Sequence, residues 1–242
     1  MVSAKEHYDH FLGPYYSWLS GGLGKKVEEN RKFFFDHDIS PRSSKVAVDL
    51  GAGPGFQSIP LAESGFNVIA IDMNRHLLGE LRQNTQGLSV VAVEDNLLNF
   101  TRHSPTNNEV IVCMGDTLLH LQSFEDVQNL FENAYNSLAN NGRLILAFRD
   151  MTRELTGLDR FIPVRSDATK IFTCFVEYKK KHILVHDILY EKNNQQWIMK
   201  KSLFRKLRIL PQWTRNVLEG IGFRIETYDV GKGMVTIVAC RN

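Results

Sequence analysis

The sequence predicts an α/β protein with a doubly wound, mainly parallel seven-stranded sheet, a C-terminal antiparallel hairpin and an inserted antiparallel β segment. Two observations predict this fold. Short runs rich in Val, Ile and Leu alternate with helical patterns over about the first 150 residues, which is typical of strands covered on both faces. Closely spaced strand patterns without helices then occupy about 50 residues before the alternation resumes.

The alternating part contains five predicted parallel strands, over residues 46–50, 68–71, 88–93, 110–114 and 144–148. Helices are predicted between them over 55–64, 75–84 and 123–138. Ser123 is a suitable N-cap for the last of these helices, with Asp126 three residues later, and the Asn-Asn-Gly sequence at 140–142 ends it. Parallel neighbours need such long crossover connections, so this order indicates a parallel sheet with helices on both faces.

The inserted segment contains predicted strands over 171–178, 182–190 and 196–209, joined by short polar links. A helix over 211–221 and two strands over 223–230 and 234–240, joined by Gly-Lys-Gly, complete the chain. We therefore expect three parts: an aromatic N-terminal helical lid over 1–40, a main α/β domain over 41–160 and 211–242, and a β insertion over 161–210 that covers the substrate.

Composition identifies no charged partner. The chain has 242 residues, 23% of them charged, and a formal net charge of +2, unlike a strongly basic nucleic-acid binder. Three distant cysteines fit neither a disulfide framework nor a metal site. Because there is no signal-like start and no membrane-length apolar run, we expect a cytoplasmic protein, monomeric or homodimeric, with no membrane or nucleic-acid partner and no metal.

A glycine-rich turn follows the first strand, where the chain reads Asp49-Leu50-Gly51-Ala52-Gly53-Pro54-Gly55-Phe56. Glycines at the carboxyl end of a first strand let a ligand approach the backbone. The spacing alone leaves both a dinucleotide and another nucleotide cofactor open. Phe56 occupies the place where a dinucleotide site needs its third glycine, which favours the second alternative.

Acidic residues follow the next two strands. Asp72 lies about twenty residues beyond Gly51, the distance spanned by one strand-helix-strand unit, and a carboxylate there can accept both ribose hydroxyls. Asp72 is equally suited to cap the following helix. After the third strand come two further acidic residues, Glu94 and Asp95.

These motifs together resemble class I S-adenosylmethionine-dependent methyltransferases, and residues 115–121 resemble the corresponding segment of small-molecule, glycine N-methyltransferase-like enzymes. The resemblance covers residues 45–150 and, by pattern, 211–241. It implies S-adenosylmethionine as cofactor and S-adenosylhomocysteine as product. It further implies that the cofactor is bound by Tyr15, Asp49, Gly51, Ala52, Gly53, Gly55, Phe56, Gln57, Asp72, Met73, Asn74, Glu94, Asp95, Asn96, Met114, Gly115 and Asp116.

The sequence also contains candidate catalytic and substrate-binding residues. His120 follows the fourth strand and Tyr16 belongs to the aromatic N-terminal segment, so each is a candidate catalytic base for a hydroxyl substrate. His120 could equally be a packed structural residue, and the N-terminal aromatics could simply dock a helix on the sheet. If the insertion covers the site, its substrate contacts are predicted to be Arg165, Tyr178, His186 and Tyr190.

The predicted function is in-line methyl transfer to a nitrogen or oxygen nucleophile of a small molecule. Three alternatives compete with it. An oxidoreductase is opposed by Phe56 and by the terminal hairpin, and an RNA methyltransferase by the modest net charge. A non-catalytic S-adenosylmethionine-binding module would carry the same cofactor motifs.

Overall fold

The structure is a computed structural model that describes residues 2–242. Its strands are β1 Val46–Leu50, β2 Asn67–Asp72, β3 Val90–Glu94, β4 Asn108–Cys113, β5 Leu138–Arg149, β6 Phe161–Ser166, β7 Lys170–Tyr178, β8 His182–Asn193, β9 Gln196–Leu207, β10 Phe223–Gly231 and β11 Met234–Arg241. Its α-helices are α1 Ala4–His7, α2 Tyr16–Leu19, α3 Leu23–Asp36, α4 Ser58–Glu63, α5 Arg75–Asn84, α6 Phe124–Ser137 and α7 Pro211–Ile221.

The main sheet has seven strands in the order β10-β11-β5-β4-β1-β2-β3. The pairs β1–β2, β2–β3, β1–β4 and β4–β5 are parallel, whereas β11 is antiparallel to both β5 and β10. This arrangement confirms the predicted fold class. Because β1 to β4 run in the same direction, the loops that follow them meet at one edge of the sheet, on either side of β1.

Both faces of the central strands are covered, which explains why their sequences are continuously apolar. Along β1, Val48 packs into the core that includes α6 and α7, while Ala47 packs into the core on the α3 and α4 side. Phe131 of α6 and Phe34 of α3 are almost fully buried in these two cores. A strand that is buried on both faces carries apolar side chains on both, so its sequence does not alternate between apolar and polar residues.

Local sequence signals set the ends of several helices. Ser123 and Asp126 form a reciprocal capping box at the start of α6, with hydrogen bonds of 3.0 and 3.1 Å. Gly222, at a φ of 118°, ends α7 as predicted. The helix predicted over 55–64 begins only at Ser58, because Gly55 has a φ of 101°, which no right-handed helix accommodates.

The insertion is a separate antiparallel sheet in the order β6-β7-β8-β9. Its edge strand β6, which the sequence patterns had not predicted, contains Pro163 and an irregularity in its register with β7. One face of β8 is buried and carries Ile183, Val185 and Leu189. Among residues 2–242 no helix is long and apolar enough to cross a membrane.

Candidate active site

A cleft opens at the carboxyl edge of β1 to β4 and is closed on one side by the N-terminal segment. It encloses about 850 Å³ of empty space, open solvent at its mouth included. Nine residues predicted from the sequence line it together: Tyr16, Gly51, Gly53, Asp72, Met73, Asn74, Asp95, Asn96 and His120.

The glycine loop requires glycine at its first position. Gly51 has a φ of 75°, and a Cβ atom there would lie 2.5 Å from Oγ1 of Thr117. The N–H groups of Gly51 and Ala52 donate to the carbonyl of Ile71, at 2.8 and 3.1 Å, which ties the loop to β2. The loop therefore presents bare backbone to the cleft in a fixed conformation.

Asp72 links this loop to the end of β2. Its Oδ2 accepts a hydrogen bond of 2.9 Å from the N–H of Gly53, and its Oδ1 accepts one of 2.8 Å from the N–H of Asn74. Burial raises the pKa of this carboxyl, and the backbone donors partly offset the effect. The side chain of Asn74 caps α5 through the N–H of Leu77 at 2.9 Å.

Asp49 lies behind the loop, outside the cleft lining, and is 1% exposed. Its Oδ2 accepts a hydrogen bond of 2.6 Å from the hydroxyl of Ser58, whereas its Oδ1 has no hydrogen-bond partner among residues 2–242. Burial raises the pKa of Asp49 to about 7. A buried carboxylate oxygen without a donor is costly, so this atom is suited to a polar group from outside the chain.

The two acidic residues after β3 have different surroundings. Glu94 extends away from the cleft and accepts from Nε of Arg75 at 2.8 Å. Asp95 lines the cleft, where Asn99 and His103 each donate to it at 2.8 Å. These hydrogen bonds lower the pKa of Asp95 to about 2, so it is ionised and can accept from a bound ligand.

Asp116, after β4, belongs to an ion-pair cluster beside the cleft. Nζ of Lys206, from the insertion, lies 2.5 Å from its Oδ2, and Nε of Arg149 lies 3.5 Å from the same atom. Burial opposes ionisation of Asp116, but these charges outweigh it and lower the pKa to about 2. The cluster therefore ties the insertion to the main sheet next to the predicted site.

Two tyrosines of the N-terminal segment line the cleft. The Tyr16 ring stacks on Phe56 with ring centroids 5.9 Å apart, and the Tyr8 ring lies 5.7 Å from the Tyr16 ring. Burial raises the pKa of both hydroxyls, so both are neutral donors. Tyr8 was not predicted as a site residue, although its spacing of eight from Tyr16, about two helical turns, would have placed both on one face.

His120 lies beneath Tyr8. Its Nε2 is 3.5 Å from the Tyr8 hydroxyl oxygen, and its ring stacks on Phe204 of β9 with ring centroids 5.6 Å apart. Its buried Nδ1 has no hydrogen-bond partner within the described chain. Burial, helped by the charge of Lys206, lowers the pKa of His120 to about 3. The imidazole is therefore neutral and weakly basic, which suits hydrogen bonding better than proton abstraction.

Comparisons with known proteins agree with this geometry. Residues 47–142, which include the glycine loop, Asp72 and Asp95, match the family described as "Methyltransferase domain". A glycine/sarcosine N-methyltransferase of Aphanothece halophytica is 29% identical over 119 residues, 48% of this chain. The chain spans only 45% of that relative's length.

Solved structures share the whole fold. A methyltransferase from Clostridium acetobutylicum superposes with a TM-score of 0.76 at 14% identity, covering 96% of this chain and 98% of its own. A sugar N-methyltransferase from Streptoalloteichus gives 0.72 at 11% identity, covering 94% and 92%. The whole chain therefore has the fold of S-adenosylmethionine-dependent methyltransferases, and residues 47–142 are similar to the methyltransferase domain family.

The residues at this cleft fit S-adenosylmethionine. Gly51 and Gly53 expose backbone where a side chain would intrude, and Gly53 has a φ of 53°. The orphaned Oδ1 of Asp49 lies behind the same loop, and the carboxylates of Asp72 and Asp95 face one cleft from successive strands. An amino acid joined to a nucleoside offers groups of matching polarity to each of them.

Several predicted cofactor residues do not line the cleft. The Tyr15 hydroxyl instead donates to Glu191 at 2.9 Å and accepts from Lys200 at 2.8 Å, both in the insertion. Nine others are also absent from the cleft lining: Asp49, Ala52, Gly55, Phe56, Gln57, Glu94, Met114, Gly115 and Asp116.

The four predicted substrate contacts also lie outside the cleft lining. His186 and Tyr190 are on the outward face of β8, where His186 bonds Glu177 at 2.7 Å and Tyr190 is 39% exposed. Arg165 lies over the Trp18 ring, and Arg208 lies over the Tyr178 ring. Successive side chains of β8 point to opposite faces of the sheet, and the buried face is the one that carries Asp187.

Proposed function

We propose that this chain transfers the methyl group of S-adenosylmethionine to an amino nitrogen of a small molecule. One observation carries the proposal: a cofactor-type cleft, with its glycine loop and two carboxylates, is bordered by Tyr8, Tyr16 and His120. The activities for which these similar proteins are named, glycine/sarcosine and sugar N-methylation, support nitrogen as the acceptor atom.

The cofactor end of the cleft would be held from three sides. Asp72 would accept the ribose hydroxyls, while Asp95 would accept from the adenine amino group. Met73, Leu97 and Leu98 supply apolar surface for the ring. The amino-acid end would lie at the Gly51–Gly53 backbone, with Asp49 behind it. When bound, S-adenosylmethionine supplies a methyl group made electrophilic by its positively charged sulfur.

The nucleophile would bind where Tyr8, Tyr16 and His120 converge. Aromatic faces stabilise a nearby cation, and neutral hydroxyl and imidazole groups can orient an amine through hydrogen bonds. With a pKa of about 3, His120 is a poor proton acceptor, so the amine would have to enter already deprotonated. This requirement favours amines over hydroxyls, since a hydroxyl needs a base within reach.

The N-terminal segment would act as the lid of this site and the insertion as its cover. Ala4, Lys5, Tyr8 and Tyr16 all border the cleft from the segment. Ser17 donates to Glu80 and Asn74 donates to Asp9 at 2.8 Å, so the segment is also bonded to the main domain. A closed lid would exclude water from the reacting groups.

Radiolabelled methyl transfer to a panel of amines, including glycine, sarcosine and amino sugars, tests the proposal. We expect an N-methylated product, with a rate that falls about tenfold or more in Tyr8→Phe because an orienting hydrogen bond is lost. Glu94→Ala, which alters an acid outside the cleft, serves as the matched control. Tight S-adenosylhomocysteine binding without transfer to any amine would instead identify a binding module.

A further inference from the structure

A fully buried histidine in the N-terminal segment plays no part in the cofactor cleft. His7, the last residue of α1, is 0% exposed. A buried imidazole is costly unless both ring nitrogens are hydrogen-bonded, and in His7 both are. Its Nε2 lies 3.0 Å from Oδ2 of Asp187, and its Nδ1 lies 2.8 Å from the hydroxyl oxygen of Ser202.

The two residues that bond His7 lie next to each other on the insertion sheet. Asp187 of β8 and Ser202 of β9 are directly opposite each other in the strand register. Asp187 is only 3% exposed, and its other oxygen accepts from the Cys174 thiol at 2.8 Å. A carboxylate only accepts, so Nε2 of His7 donates to Asp187, while Nδ1 shares a second hydrogen bond with the Ser202 hydroxyl. The ring is thereby held in one orientation.

Stacked aromatic rings connect His7 to the proposed binding site of the nucleophile. Phe204 stacks on His7 with centroids 4.0 Å apart and on His120 with centroids 5.6 Å apart. Tyr8 meets both histidine rings edge-on, at 5.9 Å from His7 and 5.5 Å from His120. Since Tyr8 is the next residue in the chain, the position of His7 determines where the Tyr8 hydroxyl lies.

The backbone after His7 departs from a regular α-helix. Residues Tyr8–Leu12 form a π-helical turn, a geometry often found at functional sites. Gly13 follows it, and a Cβ atom there would lie 2.8 Å from the carbonyl oxygen of Tyr8. The turn thus begins at Tyr8, which lines the cleft, directly after His7, which bonds the insertion.

We propose that His7 is a positioning residue: by bonding Asp187 and Ser202 it fastens the lid to the insertion sheet and holds Tyr8 against His120. This inference rests on the proposed methyl-transfer function. It gives the insertion a positioning role, since the inward face of its sheet then supports the closed lid.

The test uses His7→Phe, which keeps an aromatic ring for stacking on Phe204 but removes both hydrogen bonds. We expect kcat to fall about tenfold or more, because a small displacement of Tyr8, which orients the nucleophile, lowers the reaction rate strongly. Amide hydrogen exchange over residues 4–19 should accelerate, while exchange in α5 stays unchanged. His10→Phe, the same substitution at an exposed position of the segment, should alter neither readout.

Two further variants separate positioning from mere stability. The double variant His7→Phe with Asp187→Leu replaces both members of the buried His7–Asp187 hydrogen bond by apolar groups. Thermal stability should therefore recover relative to His7→Phe alone, while kcat stays low. Ser202→Ala removes a single bond and should give an intermediate loss of kcat, and it serves if His7→Phe does not fold. Recovery of kcat together with stability, or wild-type kcat and exchange in His7→Phe, would overturn the inference.

The exchange measurement also keeps the two proposals apart. If the wild-type chain methylates no amine yet exchange over residues 4–19 accelerates in His7→Phe, the proposed function fails and the fastening of the lid stands. If the wild type methylates an amine and His7→Phe matches it in both readouts, the function stands and the role of His7 fails.

Discussion

Asp72 and Gly53 are joined by a hydrogen bond of 2.9 Å between the Asp72 carboxylate and the Gly53 backbone N–H, 19 residues apart in sequence. This bond fixes the glycine loop of β1 against the end of β2. One carboxylate therefore shapes the loop and also faces the cleft, where its second oxygen accepts from the N–H of Asn74 at 2.8 Å. The cofactor motifs form one connected unit rather than separate contacts.

Removal of this carboxylate should weaken cofactor binding. Asp72→Ala deletes charged hydrogen bonds to the ligand and loosens the glycine loop, so we expect the Kd for S-adenosylhomocysteine to rise by about ten- to a hundredfold. Calorimetry measures this directly. Glu94→Ala removes an acid from the next strand end that bonds Arg75 outside the cleft, and it should leave the Kd nearly unchanged. Equal losses in both variants would contradict the assignment of Asp72.

Gly51→Ala should destabilise the protein as well as the site. The new Cβ would lie 2.5 Å from Oγ1 of Thr117, and the φ of 75° is strained for alanine, so we expect a loss of about 1–3 kcal/mol. Urea unfolding gives the change in free energy. Gly79→Ala is the matched control, because Gly79 lies within α5 with open space around it, and alanine there should stabilise by up to about 1 kcal/mol.

His120 should contribute no titration to the reaction between pH 5 and 8. Its pKa of about 3 lies below this window because burial disfavours the charged ring, so it stays neutral throughout. We expect kcat/KM to rise with pH as the amine loses its proton, with the same shape in wild type and His120→Asn but a lower level in the variant. A wild-type inflection near pH 6.5 that disappears in His120→Asn would show instead that His120 acts as a base.

The sequence was sufficient for the parts of the fold that depend on local chemistry. The Ser123–Asp126 capping box, the stop at Gly222 and the buried parallel strands all follow from short-range rules, and the structure confirms them. The helix start at 55 was wrong because the ligand-type loop needs positive φ at Gly55. A glycine with a positive φ cannot be part of a right-handed α-helix.

The site was less predictable where two distant segments meet. Alternation in β8 defined two faces, but nothing local showed which one faces inward, and the polar face chosen for substrate contacts lies outward. The partners of His7 are 180 and 195 residues away in sequence, so no spacing could reveal them. Such contacts are set by the docking of the insertion on the N-terminal segment.

Asp49 should make the stability of the protein depend on pH below neutrality. Its folded-state pKa, raised by burial to about 7, lies above the unfolded value of about 3.9, so between these values the folded state binds more protons. The contribution of Asp49 to the free energy of unfolding should therefore fall as pH rises from about 4 to 7, by at most about 1.4 kcal/mol for each pH unit, and then level off. Urea unfolding of wild type and Asp49→Asn across this range isolates the contribution, because the amide does not titrate. The difference between the two proteins should shift in favour of the variant towards pH 7. A difference that stays constant from pH 4 to 7 would mean that Asp49 is ionised throughout and that its Oδ1 finds a donor in solution.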